Sequence, residues 1–84
     1  MGTSFLLQLC TVNKNIEVAE TIQKLSDVVE AVPTIGAYDG IVKTENLTRK
    51  DVNKLVLTNI CPLDYVRSVL TMHEVPKVPV SKNV

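Results

Sequence analysis

Ile35-Gly36-Ala37-Tyr38-Asp39-Gly40-Ile41-Val42 places a glycine-led turn, one aromatic and one acid between two apolar runs. Two glycines flanking a carboxylate allow positive φ and a close approach of backbone to a ligand. Main-chain N–H groups at such a turn can hold a carboxylate, and Asp39 can accept an ammonium. Both ends of an amino acid would then be met. A hairpin turn that needs glycine for its geometry, with Asp39 bonded to its own backbone, fits the same residues.

The remaining polar groups offer less. His73 is the only histidine and stands beside Glu74. Neighbours on a strand point to opposite faces, so the two form no acid–base couple, and no nucleophile or metal partner accompanies them. No catalytic residue is assigned, and the chain reads as a non-enzyme. Ser68 and Thr71 are either ordinary positions of an edge strand or hydroxyls lining a pocket at a subunit boundary. Arg49, Lys50, Asp51 and Lys54 read as a solvated helix face with cap chemistry.

Composition narrows the classes. The 84 residues carry nine basic and nine acidic side chains, so there is no electrostatic footprint for direct nucleic-acid binding. Aromatics make up 4%, too few for base-stacking platforms. Cys10 and Cys61 stand alone without a CxxC, which excludes a disulfide framework or a metal signature and suggests two buried thiols in a reducing cytosol. Neither a metal nor a cofactor is expected. The apolar run Phe5 to Val12 is short for a signal-peptide core and has no preceding Lys or Arg. Nothing approaches the roughly 20 apolar residues of a membrane span. A cytoplasmic location and no membrane partner are the expectation.

The elements that must position the turn follow from periodicity. Ser4 to Val12 is apolar on both parities and reads as a strand buried on both faces. Asn13-Lys14-Asn15 is a turn and N-cap for a helix over Ile16 to Leu25 with the stripe Ile16, Ala19, Ile22, Leu25. Val28 to Thr34 is a β-branched strand whose Pro33 assigns it to a sheet edge. Tyr38 to Thr44 returns antiparallel to it. Thr48 and Asp51 form a capping box for a second helix on Val52, Leu55, Val56 and Ile60, ended by Cys61-Pro62. Val66 to Val75 is the fourth strand, and Pro76 to Val84 is an extended or loosely ordered tail.

The order β-α-β-β-α-β with right-handed crossovers puts strands one and three in the centre of the sheet. The expected class is α+β: a ferredoxin-like four-stranded antiparallel sheet with two helices on one face, in a single domain over residues 1–75. The uncovered face is also apolar, which points to a homodimer with sheets packed face to face.

This order, together with Val28-Val29-Glu30-Ala31-Val32 leading into Gly36 and Asp39 and with Val66-Arg67-Ser68 opening the last strand, resembles the effector-binding (RAM) domain of the Lrp/AsnC (feast/famine) family. The resemblance covers residues 4 to 75. It implies a dimer through the open sheet face and assembly of dimers into tetramers or octamers. It also implies amino-acid effectors bound between dimers near the turn after the second strand. Gly36, Ala37, Tyr38 and Asp39 match that turn, with nothing resting on the side chain of Ala37. Thr71 matches a threonine of the last strand, and Val69 stands where the family often has another. Full-length family regulators carry a helix-turn-helix before this domain, and this chain begins almost at the first strand, so it resembles the stand-alone version or an excised piece. An amino-acid effector and a full-length regulator of the same family are the ligand and partner implied. The competing readings are a pure oligomerisation domain without ligand and a small enzyme on a dimeric α+β barrel.

Overall fold

The first strand sorts its residues by parity. Ser4, Leu6, Gln8 and Cys10 are buried, while Phe5 and Leu9 between them are exposed. This period of two is the signature of a sheet covered on one face only. In the computed structural model, which describes residues 2–74, that strand is β1 (Gly2–Cys10). It is followed by α1 (Asn15–Gln23), β2 (Glu30–Pro33), β3 (Gly40–Leu47), α2 (Arg49–Leu55), a π-helical segment Val56–Ile60, and β4 (Val66–His73). The strands form one antiparallel sheet in the order β2-β3-β1-β4, so β1 and β3 are central and Pro33 lies on an edge. This is the ferredoxin-like α+β arrangement.

The helices cover the face carrying the even residues of β1. Val18, Ala19 and Ile22 of α1 and Val52 and Leu55 of α2, with Ile60, are buried there against Leu6, Cys10 and Val42. The other face has no cover. The register lines up Val32, Ile41, Leu7 and Leu70 across all four strands, with Phe5 and Met72 side by side in the next row. Leu70 is 48% exposed and Met72 46% exposed. Lys43 and Glu30 complete that second row, so the uncovered face is apolar through its middle with charges towards the β2 edge.

Several boundaries differ from the periodicity reading, each for a local reason. β1 ends at Cys10, not Val12, because Asn13 takes φ 67° and Lys14 N–H donates to the Thr11 carbonyl at 3.0 Å, turning the chain out of the sheet. Val12 is therefore left exposed. Helix α1 begins at Asn15, with Lys14 and not an asparagine in the cap position and no side-chain cap; Ile16 is exposed, and the buried stripe is Val18, Ala19 and Ile22. β2 is confined to Glu30–Pro33, and β3 starts and ends later than expected, at Gly40 and Leu47. Near its end Asn46 adopts φ 61° where the β1–β3 register shifts, a conformation asparagine tolerates. The Thr48–Asp51 capping box is present, with Asp51 N–H donating to Thr48 Oγ1 at 3.1 Å. Beyond Leu55 the helix widens into a π turn, closed by Cys61 N–H on the Val56 carbonyl at 2.7 Å just before Pro62. β4 runs to His73; Val75 and the tail lie outside the described residues.

One core feature breaks the apolar rule. Gln8 is fully buried on the helix face, opposite Gly40 on β3 and Val69 on β4. A Cβ added at Gly40 would come 2.5 Å from Gln8 Nε2 and 3.1 Å from its Cγ. Glycine at 40 is thus required by the Gln8 side chain rather than by torsion. Gly40→Ala is expected to overpack the core and cost about 1–3 kcal/mol. That is a fall in Tm of roughly 4–8 °C per kcal/mol in a domain of this size, read by thermal unfolding. Gln8→Ala in the same chain should recover part of the loss by vacating the space.

Candidate functional site

The turn between β2 and β3 is built from both of its ends. Thr34 N–H donates to the Asp39 carbonyl at 2.9 Å, and the Thr34 hydroxyl donates to the Tyr38 carbonyl at 2.9 Å, closing a six-residue loop over 34–39. Gly36 holds φ 140°, a conformation strained for residues bearing a Cβ, although nothing would touch a Cβ there. Its requirement is torsional, the opposite case to Gly40.

Asp39 ties this loop to the end of β1. Its N–H donates to the Gln8 carbonyl at 2.8 Å, and its Oδ2 accepts from Cys10 N–H at 2.7 Å. The carboxylate is therefore not bonded to its own turn. It satisfies a donor on the central strand, 29 residues away in sequence. The other carboxylate oxygen has no protein partner among the described hydrogen bonds and can accept from a ligand.

A cleft of about 290 Å³ lies here, lined by Cys10 to Asn13 from the end of β1, Asn15 at the start of α1, Thr34, Ile35 and Gly36 from the loop, and Asp39. It brings together Gly36 and Asp39 of the residues singled out from sequence. Ala37 is exposed at the tip, and Tyr38 is half-buried with its carbonyl engaged by Thr34. Thr71 lies on β4, paired with Leu6 and separated from β3 by β1, outside this cleft within one chain. Ser68 and Thr71 fall on opposite faces: Ser68 pairs with exposed Leu9 and Thr71 with buried Leu6, so the two hydroxyls cannot share one pocket wall of a single chain. The contribution of residues 10–15 was not singled out in the sequence, because it depends on Asn13 turning the chain back beside the loop. Asn15 Nδ2 reaches the Thr34 carbonyl at 3.4 Å and links α1 to the same rim.

Cys10 lies in the cleft wall and is buried, whereas Cys61, expected to be buried, is exposed at the end of the π turn. Desolvation, and then the charge of Asp39, push the Cys10 thiol up from its ordinary value. With an aromatic disulfide reagent at mildly alkaline pH, Cys61 should react at once and Cys10 only after unfolding; two fast thiols would contradict this placement. The native state keeps the proton that the unfolded chain releases, so this stabilisation is full below the ordinary thiol range and is lost as pH rises through it towards the raised value.

His73 is satisfied locally. Its Nδ1 lies 2.9 Å from Ser4 Oγ, and Ser4 is buried. Glu74 instead accepts from Thr3 N–H through Oε1 at 3.0 Å, holding the end of β4 to β1. A larger cleft of about 360 Å³ beside α2 includes Asp27, Asp51, Lys54, Thr58 and Asn59. Part of its polar lining is engaged within the fold: Asp51 closes the capping box, and the Thr58 hydroxyl lies 2.6 Å from the Lys54 carbonyl and 2.8 Å from Asn59 Oδ1. Among the described residues no cluster of His, Cys, Asp and Glu could hold a metal ion, and no helix is long and apolar enough to cross a membrane.

No protein-family model matches the chain, and no curated protein does. Solved structures do. The hypothetical protein PHS023 from Pyrococcus horikoshii is 33% identical with a TM-score of 0.77, over 86% of this chain and 87% of its own. FFRP-DM1 is 33% identical with a TM-score of 0.76, over 86% of this chain and 96% of its own. The transcriptional regulator NMB0573 from Neisseria meningitidis, solved as a complex with L-Met, is 12% identical with a TM-score of 0.76. It shares the fold over 99% of this chain, which spans 55% of that regulator. The 33% identity to FFRP-DM1 over most of both chains, on the βαββαβ sheet and turn described above, shows that this chain belongs to the Lrp/AsnC (feast/famine) family as a RAM-type domain.

Proposed function

We propose that the chain is an amino-acid-binding and assembly module that modulates transcription regulators of its own family. The observation that carries this reading is the Asp39 carboxylate, fixed by Cys10 N–H through one oxygen and presenting the other beside the glycine loop and the 290 Å³ cleft. The loop's main chain and Asp39 match the two charged ends of a free amino acid. A family neighbour solved with L-Met supports the ligand class. The open apolar face supports a dimer, and Val12 and Ile35, both strongly exposed on the cleft rim, support a further contact that would wall the cleft from a second dimer. The ligand site is then shared between subunits, and tetramers or octamers are the assemblies in which it is complete. A full-length regulator of the family is the natural partner, joined through the same sheet face in a mixed oligomer.

Titration calorimetry with the twenty amino acids, paired with the mass in solution with and without each, tests the reading. At least one amino acid should release heat and shift the mass distribution. If none does so while a stable oligomer is present, the second reading holds: an assembly domain without ligand. That reading is favoured by the engagement of one Asp39 oxygen inside the fold.

A further inference from the structure

The two edges of the sheet are finished differently. Ala31 N–H is bonded to Gln23 of α1 and not to β3, which marks Ala31 and Pro33 as the positions of β2 whose main chain faces outward. Neither offers a free donor. Gln23 Oε1 accepts the Ala31 N–H at 2.7 Å, and Pro33 has no N–H. The strand is also only four residues long. A short edge with a proline and a covering side chain is how native sheets avoid pairing with other chains.

The β4 edge has none of these protections. It is eight residues long and holds no proline or lysine. Glu74 N–H donates to the Thr3 carbonyl at 2.8 Å, which sets the alternation of the β1–β4 ladder. Ser68, Leu70 and Met72 therefore turn their main chain towards β1, and Arg67, Val69, Thr71 and His73 turn theirs outward. Among the described residues no group bonds those outward N–H and C=O groups. An open edge of this length is a template for another strand.

We propose that the β4 edge is a second interface, occupied by β4 of another copy of this chain. Two identical antiparallel edges are self-complementary about a two-fold axis. The register centred on Leu70 engages all four outward residues, with Val69 opposite Thr71 and Arg67 opposite His73, each way round. No outward group is left over, which is why a second copy fits this edge. Leu70 then meets Leu70 on the axis and Ser68 meets Met72, so the apolar side chains of the uncovered face continue from one copy into the next. This axis stands normal to the sheet, whereas that of a face-to-face dimer runs parallel to it. One assembly can hold both pairings, and the amino-acid cleft is part of neither.

Amide hydrogen exchange on the full-length wild-type chain reads the edge directly. In the assembled protein Arg67, Val69, Thr71 and His73 should be as protected as Leu70 and Met72. On dilution to single chains the outward four should lose that protection while Leu70 and Met72 keep theirs. Thr71→Pro supplies the second measurement. Proline is tolerated where its N–H would face away from the ladder, and Thr71 is on the helix-covered side, so a face-to-face dimer is spared. The variant should lower the mass in solution at least two-fold with the far-ultraviolet circular dichroism unchanged. If it fails to fold, Arg67→Pro at the exposed start of the strand takes its place with the same readout. Leu70→Glu is no substitute, because it sets like charges opposite each other on this axis and opposes both pairings. Outward amides that exchange freely at millimolar concentration overturn the inference. So does protection that persists in single chains, which would put a segment of the same chain on the edge. A folded proline variant of wild-type mass overturns it as well.

Discussion

Leu70→Glu should leave a folded monomer. Leu70 is 48% exposed on the uncovered sheet face, so its replacement costs the isolated subunit little. In a two-fold dimer packed through this face the new charge is buried twice, because an isologous interface repeats every residue. An unpaired charge taken out of water costs about 3–5 kcal/mol. The dissociation constant should therefore rise on the order of a thousandfold or more. Light scattering at micromolar concentration would give the mass of a single chain, with the far-ultraviolet circular dichroism unchanged. A variant that stays dimeric would place the interface elsewhere, on the cleft rim around Val12 and Ile35 or along the β4 edge. The same substitution bears on ligand response: if the cleft is completed by neighbouring subunits, the monomer should also lose binding although no cleft residue has been touched.

The second large effect is at Asp39, where two roles separate by choice of substitution. Asp39→Ala removes the acceptor of the Cys10 N–H and leaves that donor unpaired at the end of the central strand. An orphaned buried donor costs about 1–3 kcal/mol, which corresponds to a fall in Tm of roughly 4–8 °C per kcal/mol. Asp39→Asn keeps an amide oxygen for Cys10 but discards the charge. It should hold Tm close to wild type while weakening any amino acid whose ammonium depends on that charge, by about ten-fold or more for a charge-assisted hydrogen bond. Thermal unfolding and calorimetry on the two variants then form a pair. Equal loss of Tm in both would mean that the charge itself holds the turn to β1. Full ligand binding by Asp39→Asn would remove the carboxylate from the recognition of the ammonium.

Much of this architecture is written in side-chain order. The β-branched run around Val28 to Val32 and the proline at 33 located an edge strand, because proline has no N–H for a ladder. Thr48 and Asp51 at the right spacing located a helix start. Apolar residues on both parities of β1 pointed to a second apolar face of the sheet. The parts that were hidden depend on which particular groups meet. Any main-chain N–H can receive a carboxylate, so nothing in the spacing told that Asp39 would choose Cys10 rather than its own loop. Asn13 ended β1 early by entering a left-handed conformation, and that turn carried residues 11–15 into the cleft wall. Cys61 left the core because the helix widened to a π turn before Pro62, shifting the face on which the last residues fall. Gln8 shares the parity of Leu6 and Cys10, yet its burial without a partner is a cost that no rule of alternation anticipates.

The sheet order has a consequence for how the chain is made. Among the described strands β1 comes first in the chain and β4 last, and they pair along their length from Ser4–His73 to Cys10–Val66. The β2–β3 hairpin can close early, but β1 keeps one unpaired edge until the rest of the chain has emerged. Loops of this span make nucleation slow, and an apolar strand waiting with an open edge is exposed to mispairing with other nascent chains. Closure of the sheet therefore waits on β4: among the described residues, a chain lacking Val66–His73 keeps both helices and three strands but leaves one edge of β1 open.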